Sequence, residues 1–445
     1  MKTPICEFVR SYAQSAPLRL HMPGHKGKGT LCEELDITEI EGADSLYEAS
    51  GVIRESEQNA SALFGANTFY STEGSSLCIR AMVYLAAMHA RSMNRRPIIA
   101  AARNVHKSFL SALALTDTDV LWLCPSKNVS YLSCPITPDA LRAALMSAPE
   151  LPTAVYITSP DYLGVTADIG AIARVCRELR VLLLVDNAHG AYLRFLSPSA
   201  HPMDLGADMC CDSAHKTLPV LTGGAYLHIS HGAPKMLLNE AKTALSTFGS
   251  TSPSYLILQS LDKANAYLET HRERLGTFLS HVSILKNRLK AHGYRLVGDE
   301  PLKLTLDTSA YGYTGTQLCE LLAQKNIFCE FADRDYLVMM PTPEISPEEL
   351  SLIASALLSI PRREAISDIA PAFAMPKRAM SVREAIFSPS ERVAAAESEG
   401  RILASPTVGC PPAVPLIVSG ERIDRHTLEL FRYYGVLSCS VVKEY

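Results

Sequence analysis

The sequence has no CxxC pair among its twelve cysteines, and only Cys210 and Cys211 are adjacent. Scattered thiols exclude a zinc module or a disulfide framework read from spacing, so no metal site is expected and reduced cysteines are the simple reading. No stretch reaches the roughly 18 uninterrupted apolar residues that a membrane-crossing helix needs. The first ten residues carry Lys2, Glu7 and Arg10 where a signal peptide would carry an apolar run. A formal net charge of -4 leaves no basic surface on which to build a polyanion site. Nucleic acid and membrane are therefore not expected partners, and a soluble cytoplasmic protein is. Internal repeats and low-complexity tracts are also lacking.

What is present is an ordinary globular composition, 47% hydrophobic and 20% charged over 445 residues, enough for two or three domains. Four glycine and proline residues between His21 and Gly29 exclude regular structure there; that segment is either a solvated loop or one reaching an anionic ligand or a partner subunit. Helical spacing from Ile53 to Phe64 and a short strand at Thr68-Phe69-Tyr70 lead into the polar turn Ser71 to Ser76, and a helix is expected from Leu77 to Met93. Strands and helices then alternate. Strands are expected at 98–101, 120–123, 154–158 and 181–185, and helices at 108–115, 138–146 and 169–179, the pattern of a mostly parallel α/β sheet covered on both faces. Helix formers dominate 234–247 and 255–290. The remainder mixes strands (302–306, 336–340, 414–418) with helices (315–324, 347–358), and Ser388-Pro389-Ser390-Glu391 reads as a capped helix start. The expected organisation is an arm (1–54), a large α/β domain (55–254), linking helices (255–294) and a small α+β region (295–445).

Two residues give this frame a chemistry. The apolar strand 181–185 ends in Asp186, and a second buried strand, Asp208 to Asp212, runs into a turn bearing Ser213, His215 and Lys216. Ligands bind at the carboxyl ends of strands in open α/β sheets. An aspartate and a lysine on neighbouring strand ends suit pyridoxal phosphate (PLP): the lysine forms the Schiff base and the carboxylate keeps the pyridine nitrogen protonated. Of the three His-Lys pairs, at 25–26, 106–107 and 215–216, only the third follows a strand shortly after Asp186. Strand, small polar turn and helix around Gly74, Ser75 and Ser76 would cradle a phosphate, although serine at a helix start is also simply an N-cap. His106 follows another strand and could lie over a planar ring or move a proton, or be held by backbone. Asp186 could instead cap the next turn, and His189 admits either a structural or a functional reading. Ala188 leaves room for a ring to lie flat.

The order phosphate turn, stacking histidine, aspartate, lysine is that of PLP enzymes with an aspartate-aminotransferase-like fold. The sequence further resembles the bacterial ornithine/lysine/arginine decarboxylases of PLP fold type I, in the short form without an N-terminal wing domain. The resemblance rests on the stretches 21–27, 44–53, 74–76, 103–108 (Arg-Asn-Val-His-Lys-Ser), 158–160, 186–190 and 213–219 (Ser-Ala-His-Lys-Thr-Leu-Pro), with Pro411-Pro412 and Gly420-Glu421-Arg422-Ile423 near the end. It implies that Lys216 carries the Schiff base, Asp186 pairs with the pyridine nitrogen, His106 stacks on the ring with Ala188 beneath, and Ser75, Ser76, Ser213 and His215 hold the phosphate. The stretch Ser250 to Tyr255 also matches, which implies a homodimer with sites completed across the interface. Departures from the family pattern are Glu73 before the glycine of the phosphate turn, Asn187 for the usual Glu, Asp161 before Tyr162, Gly223 for Gln, and Cys410 to Pro415.

These features lead to the expectation of a PLP-dependent decarboxylase that converts a basic amino acid, lysine, arginine or ornithine, to its amine and CO2. Asp161 and Glu330 are candidates for selecting the distal group. Two alternatives share the same residues: another fold-type I reaction, such as transamination or carbon–carbon lysis, or a catalytically silent paralogue that acts by binding.

Overall fold

The structure is a computed structural model that describes residues 1–125, 129–372, 374–405 and 413–444. The chain forms two compact units: Met1–Pro97, Thr153–Tyr156 and Ile169–Arg274 make up the first, and Ile98–Pro152, Ile157–Asp168 and Leu275–Tyr445 the second. In chain order the strands are β1 (Asn67–Ser71), β2 (Ile98–Ala102), β3 (Asp119–Leu123), β4 (Ala154–Thr158), β5 (Leu182–Asp186), β6 (Met209–Asp212) and β7 (Ala225–Ile229). They continue as β8 (Arg295–Val297), β9 (Leu304–Asp307), β10 (Phe331–Ala332), β11 (Tyr336–Met339), β12 (Ser390–Ala394) and β13 (Ser438–Val442).

In the first unit β1, β7, β6, β5 and β4 lie side by side in that order. β5 and β6 run parallel, with Asp186 opposite Cys211, whereas β7 is antiparallel to both β6 and β1. Every residue of β5, β6 and β7 is buried. This is why those strands read as unbroken apolar runs instead of alternating ones: both faces of the sheet are covered. The helix Gly74–Ser92 buries Leu77, Met82 and Leu85 and starts three residues before the first periodic apolar position, so the polar turn is itself the first turn of the helix. The stretch 44–53 has a structural role. The Asp44 carboxylate accepts from the backbone N–H groups of Ser50 (2.9 Å), Gly51 (2.7 Å) and Ile53 (3.1 Å), which places a negative charge at the N-terminus of the helix Val52–Phe64.

In the second unit β2 and β3 pair in parallel, and β10, β11, β9 and β8 form a four-stranded antiparallel sheet in that order. β12 and β13 form a separate antiparallel pair packed over Leu403, Ile417, Ile423 and Phe431. The fold class is as expected, a mostly parallel α/β sheet with a smaller antiparallel sheet towards the C-terminus.

Three expected elements differ. Ser388-Pro389-Ser390-Glu391 does not begin a helix: Ser388 caps the end of the helix Val382–Phe387, and β12 starts at Ser390. The true capping box lies seven residues earlier, Ser381 with Glu384, and pairing with β13 overrides the local helix signal. The run 414–418 is buried but not a strand; Pro415 interrupts it, and the Val418 N–H donates to the Glu421 carboxylate (2.8 Å) instead of to a ladder. The long helical segment resolves into Tyr255–Glu269 and His271–Ala291, separated at Thr270. Pro411 and Pro412 lie outside the described residues, as does Cys410.

Candidate active site

The register of β5 and β6 brings the two key residues together. Asp186 ends β5, and β6 leads through Ser213 into the short helix Ala214–Thr217, which carries His215 and Lys216. The Asp186 carboxyl is fully enclosed. It accepts from the Tyr156 hydroxyl (3.0 Å) and the Ala188 N–H (3.2 Å), with the Cys211 thiol at 3.7 Å. Burial pushes its pKa up, against the opposing effects of the Tyr156 hydrogen bond and the Lys216 charge. A buried carboxyl in this condition has the environment that suits a cationic ring nitrogen.

The phosphate-turn residues meet the lysine segment directly. The Ser213 hydroxyl donates to the Ser75 hydroxyl (2.8 Å) at the N-terminus of the helix Gly74–Ser92, and Ser76 occupies the next position of that first turn. Gly74 contributes conformation, with φ +71°, and nothing lies within 4 Å of where a Cβ would stand. Its N–H is already given to the Gly223 carbonyl (2.7 Å). His215 is anchored twice to the carbonyl of Gly224, through its backbone N–H (3.1 Å) and its Nδ1 (3.0 Å). A helix N-terminus with two serine hydroxyls facing each other beside an open glycine is a fitting cradle for a phosphate. The donor set and the buried acid therefore fit PLP.

His106 belongs to the second unit, where it is the N-cap of the helix Lys107–Thr116: its Nδ1 accepts from the Ser108 N–H (3.2 Å) and lies 2.9 Å from the Ser108 hydroxyl. Asp161 is not placed as a substrate-selecting acid. It is buried, takes the N–H groups of Leu163 (2.9 Å) and Val165 (2.9 Å) and the Ser133 hydroxyl, and organises its own turn. Glu330 accepts from the Tyr162 hydroxyl at 3.1 Å.

Sequence reasoning missed two neighbours and left one undecided. Tyr156, on β4, donates to Asp186, and Asn187 donates to the Oδ1 of Asp212 (2.7 Å). His189, whose role the sequence leaves open, places Nε2 at 2.8 Å from the Lys216 Nζ. Its position three residues past Asp186 was the available signal. Asp212 also accepts from Nε2 of His201 (3.0 Å) and of His228 (3.1 Å); burial alone would raise it, but the two imidazoles hold it well below the usual carboxylate range. The departures are accommodated. The Glu73 carboxylate turns to the Ser250 N–H (2.6 Å), and Gly223, with φ +99°, would put a Cβ 2.7 Å from the Thr72 carbonyl oxygen.

The chain is similar to known proteins. Residues 3–292 match the family model described as the Orn/Lys/Arg decarboxylase major domain, and residues 362–442 match the one described as its C-terminal domain. The chain belongs to the Orn/Lys/Arg decarboxylase family. It is accordingly a PLP-dependent amino-acid decarboxylase acting on basic amino acids. It is 29% identical to the arginine decarboxylase of Bacillus subtilis over 96% of this chain and 92% of that one. Identity to the arginine decarboxylase of Halalkalibacterium halodurans is also 29%, over 97% and 93%. Among solved structures it resembles lysine decarboxylase A from Pseudomonas aeruginosa, with a TM-score of 0.79 at 18% identity, covering 99% of this chain and 80% of that chain. An SPT solved with PLP shares the fold at a TM-score of 0.53 and 15% identity, covering 69% of this chain and 75% of that chain.

Proposed function

We propose that the substrate is arginine and that Asp186 and Lys216 are the residues on which the reaction turns. The observation that carries this reading is the in-register end of β5 and β6, which sets a buried carboxyl and an amine on adjacent strand ends beside a serine-lined helix N-terminus. When bound, PLP supplies an electron sink for the pair left by the breaking Cα–carboxylate bond. Lys216 holds the cofactor covalently and is available to return a proton to Cα. Asp186 keeps the ring nitrogen protonated, and Tyr156 and the Ala188 N–H hold that carboxylate in place. Ser75, Ser76, Ser213 and His215 hold the phosphate, with Gly74 shaping the turn. His106 is assigned to ring contact, and as a second candidate for protonating Cα, by the family resemblance.

Arginine is preferred because four of the five curated relatives that match 96–97% of the chain are named arginine decarboxylase, the fifth bearing no activity in its name, whereas the lysine decarboxylase of Pseudomonas aeruginosa matches over 55% of it. A homodimer with shared sites, a cytoplasmic location and a place in polyamine metabolism complete the reading. The stretch Ser250 to Tyr255 supports the dimer through its family match.

The test is a panel of arginine, lysine and ornithine with PLP, assayed for CO2 and for the amine. Equimolar CO2 and decarboxylated arginine are expected. A keto-acid product would replace decarboxylation with transamination, and release of the amine from lysine or ornithine alone would overturn the substrate. Borohydride reduction followed by peptide mass analysis should place a pyridoxyl group on Lys216 and on no peptide of Lys216→Ala. Sedimentation of the holoenzyme as a monomer would remove the dimer.

A further inference from the structure

Lys216 and His189 are in direct hydrogen-bond contact. Nζ and Nε2 face each other over 2.8 Å, within a site where His189 retains only 6% exposure. Two singly charged protonation states satisfy that contact: an ammonium donating to an imidazole, or an imidazolium donating to an amine. Both contain the same number of protons, and they differ only in which nitrogen holds the one between them.

The turn that carries His189 is fastened to the strand that carries the lysine. The Asn187 N–H donates to the Cys211 carbonyl (3.0 Å), and its side-chain amide donates to Asp212 Oδ1 (2.7 Å). The Gly190 N–H closes the turn on the Asn187 carbonyl (2.8 Å), and a Cβ at Gly190 would stand 2.0 Å from Asn187 Oδ1. Asp212 in turn is held by His201 and His228, all three with fully buried side chains. The His201 Nδ1 accepts from the Met203 N–H (3.4 Å), so its proton sits on Nε2 and points at Asp212. The two Asn187 bonds join the end of β5 to the end of β6, and the remaining contacts brace the turn and Asp212. Together they fix the separation of imidazole and amine.

We infer that His189 is the proton acceptor that converts the Lys216 ammonium to the nucleophilic amine, a step that rests on the assignment of Lys216 as the cofactor-bearing residue. An N–H bond at Nζ breaks with its electron pair remaining on nitrogen, and the proton bonds to the Nε2 lone pair. The same proton returns to Nζ when the lysine is released. No other reactant is needed. A lysine must be neutral to form a covalent bond with an aldehyde, and a base at hydrogen-bond distance in a site of low dielectric supplies that state without a change in net charge.

The experiment follows attachment and not turnover. Apoenzyme is mixed with PLP at fixed pH, quenched with borohydride at intervals, and the pyridoxyl-Lys216 peptide is quantified. His189→Gln, which retains a polar side chain but takes up no proton, should attach about 10²-fold more slowly, the lower end of general-base effects. His189→Ala should be accelerated in proportion to added free imidazole, a response that a packing role would not produce. Should His189→Gln lose its cooperative thermal transition, His189→Asn carries the same comparison. Attachment by a folded variant at the wild-type rate overturns the inference and leaves the cofactor assignment intact. Failure of the wild-type protein to be labelled at Lys216 would remove the assignment itself.

Discussion

The guanidinium of Arg103 and the carboxylate of Glu421, 318 residues apart in the chain, form a 2.8 Å ion pair with 3% of each side chain exposed. Arg103 also lies over the Trp122 ring at 5.2 Å from its centroid, and Glu421 takes the Val418 N–H. Both belong to stretches on which the sequence resemblance rests, Arg-Asn-Val-His-Lys-Ser and Gly-Glu-Arg-Ile. The pair thus ties the turn before His106 to the C-terminal part of the same unit. Removing one partner of a buried pair leaves an uncompensated charge at a cost of about 3–5 kcal/mol. Glu421→Gln should therefore lower the urea midpoint substantially, and the double variant Arg103→Met/Glu421→Leu should recover most of the loss. Equal midpoints for wild type and Glu421→Gln would show that the pair contributes nothing.

Gly223 is where the phosphate turn meets the loop after Lys216. A methyl group there clashes with the Thr72 carbonyl and occupies a left-handed backbone conformation. Gly223→Ala should weaken PLP retention, measured by fluorescence quenching on dialysis, by about 5- to 150-fold, corresponding to a strain of about 1–3 kcal/mol. Retention unchanged from wild type would mean that the turn adjusts without cost.

Asn187 is one of the departures from the family pattern read in the sequence, and its amide faces an ionised, buried Asp212. Asn187→Glu brings two carboxylates together and should lower the thermal midpoint sharply. Asn187→Glu/Asp212→Asn restores one donor and one acceptor and should regain much of it. A double variant no more stable than the single one would argue that the site cannot accept the exchange.

Burial raises the Asp161 carboxyl to about 6, with the Ser133 hydroxyl, backbone N–H groups and Lys303 opposing. The folded protein thus binds a proton that the unfolded chain, at its ordinary value of 3.8, has released. Stability from this group is full below about 4 and is lost as pH rises to about 6. Asp161→Asn does not titrate, so urea midpoints should show wild type losing ground to it across that interval and holding a constant difference above it. A pH-independent difference would refute the shift.

Much of this was legible beforehand, because β5 and β6 are apolar up to the aspartate that ends each of them; burial on both faces wrote the strand ends into the sequence. Asp186, Ser213 and Lys216 are candidates read from those strand ends, and Ser75 is one read from the polar turn that opens the helix Gly74–Ser92. The contacts of His189 and Tyr156 were not legible, since each depends on which neighbouring strand or turn the side chain meets, and no local period records that. The helix signal at Ser388 failed for a related reason: its pattern of cap, proline and acid is local, whereas the pairing of β12 with β13 spans more than forty residues. Asp161 read as an acid available to a substrate because its turn, with Leu163 and Val165 donating to it, is invisible without coordinates.

The parallel pairing of β5 and β6 carries a further consequence for how this sequence can vary. The separation of Asp186 and Lys216 is set across the ladder and not along the 29 intervening residues of chain. Ser197 and Pro198 lie exposed within that connection. Extra residues inserted between them would lengthen the loop at little entropic cost while leaving acid and amine where they are. The site is therefore insulated from the length of the chain that joins its two halves.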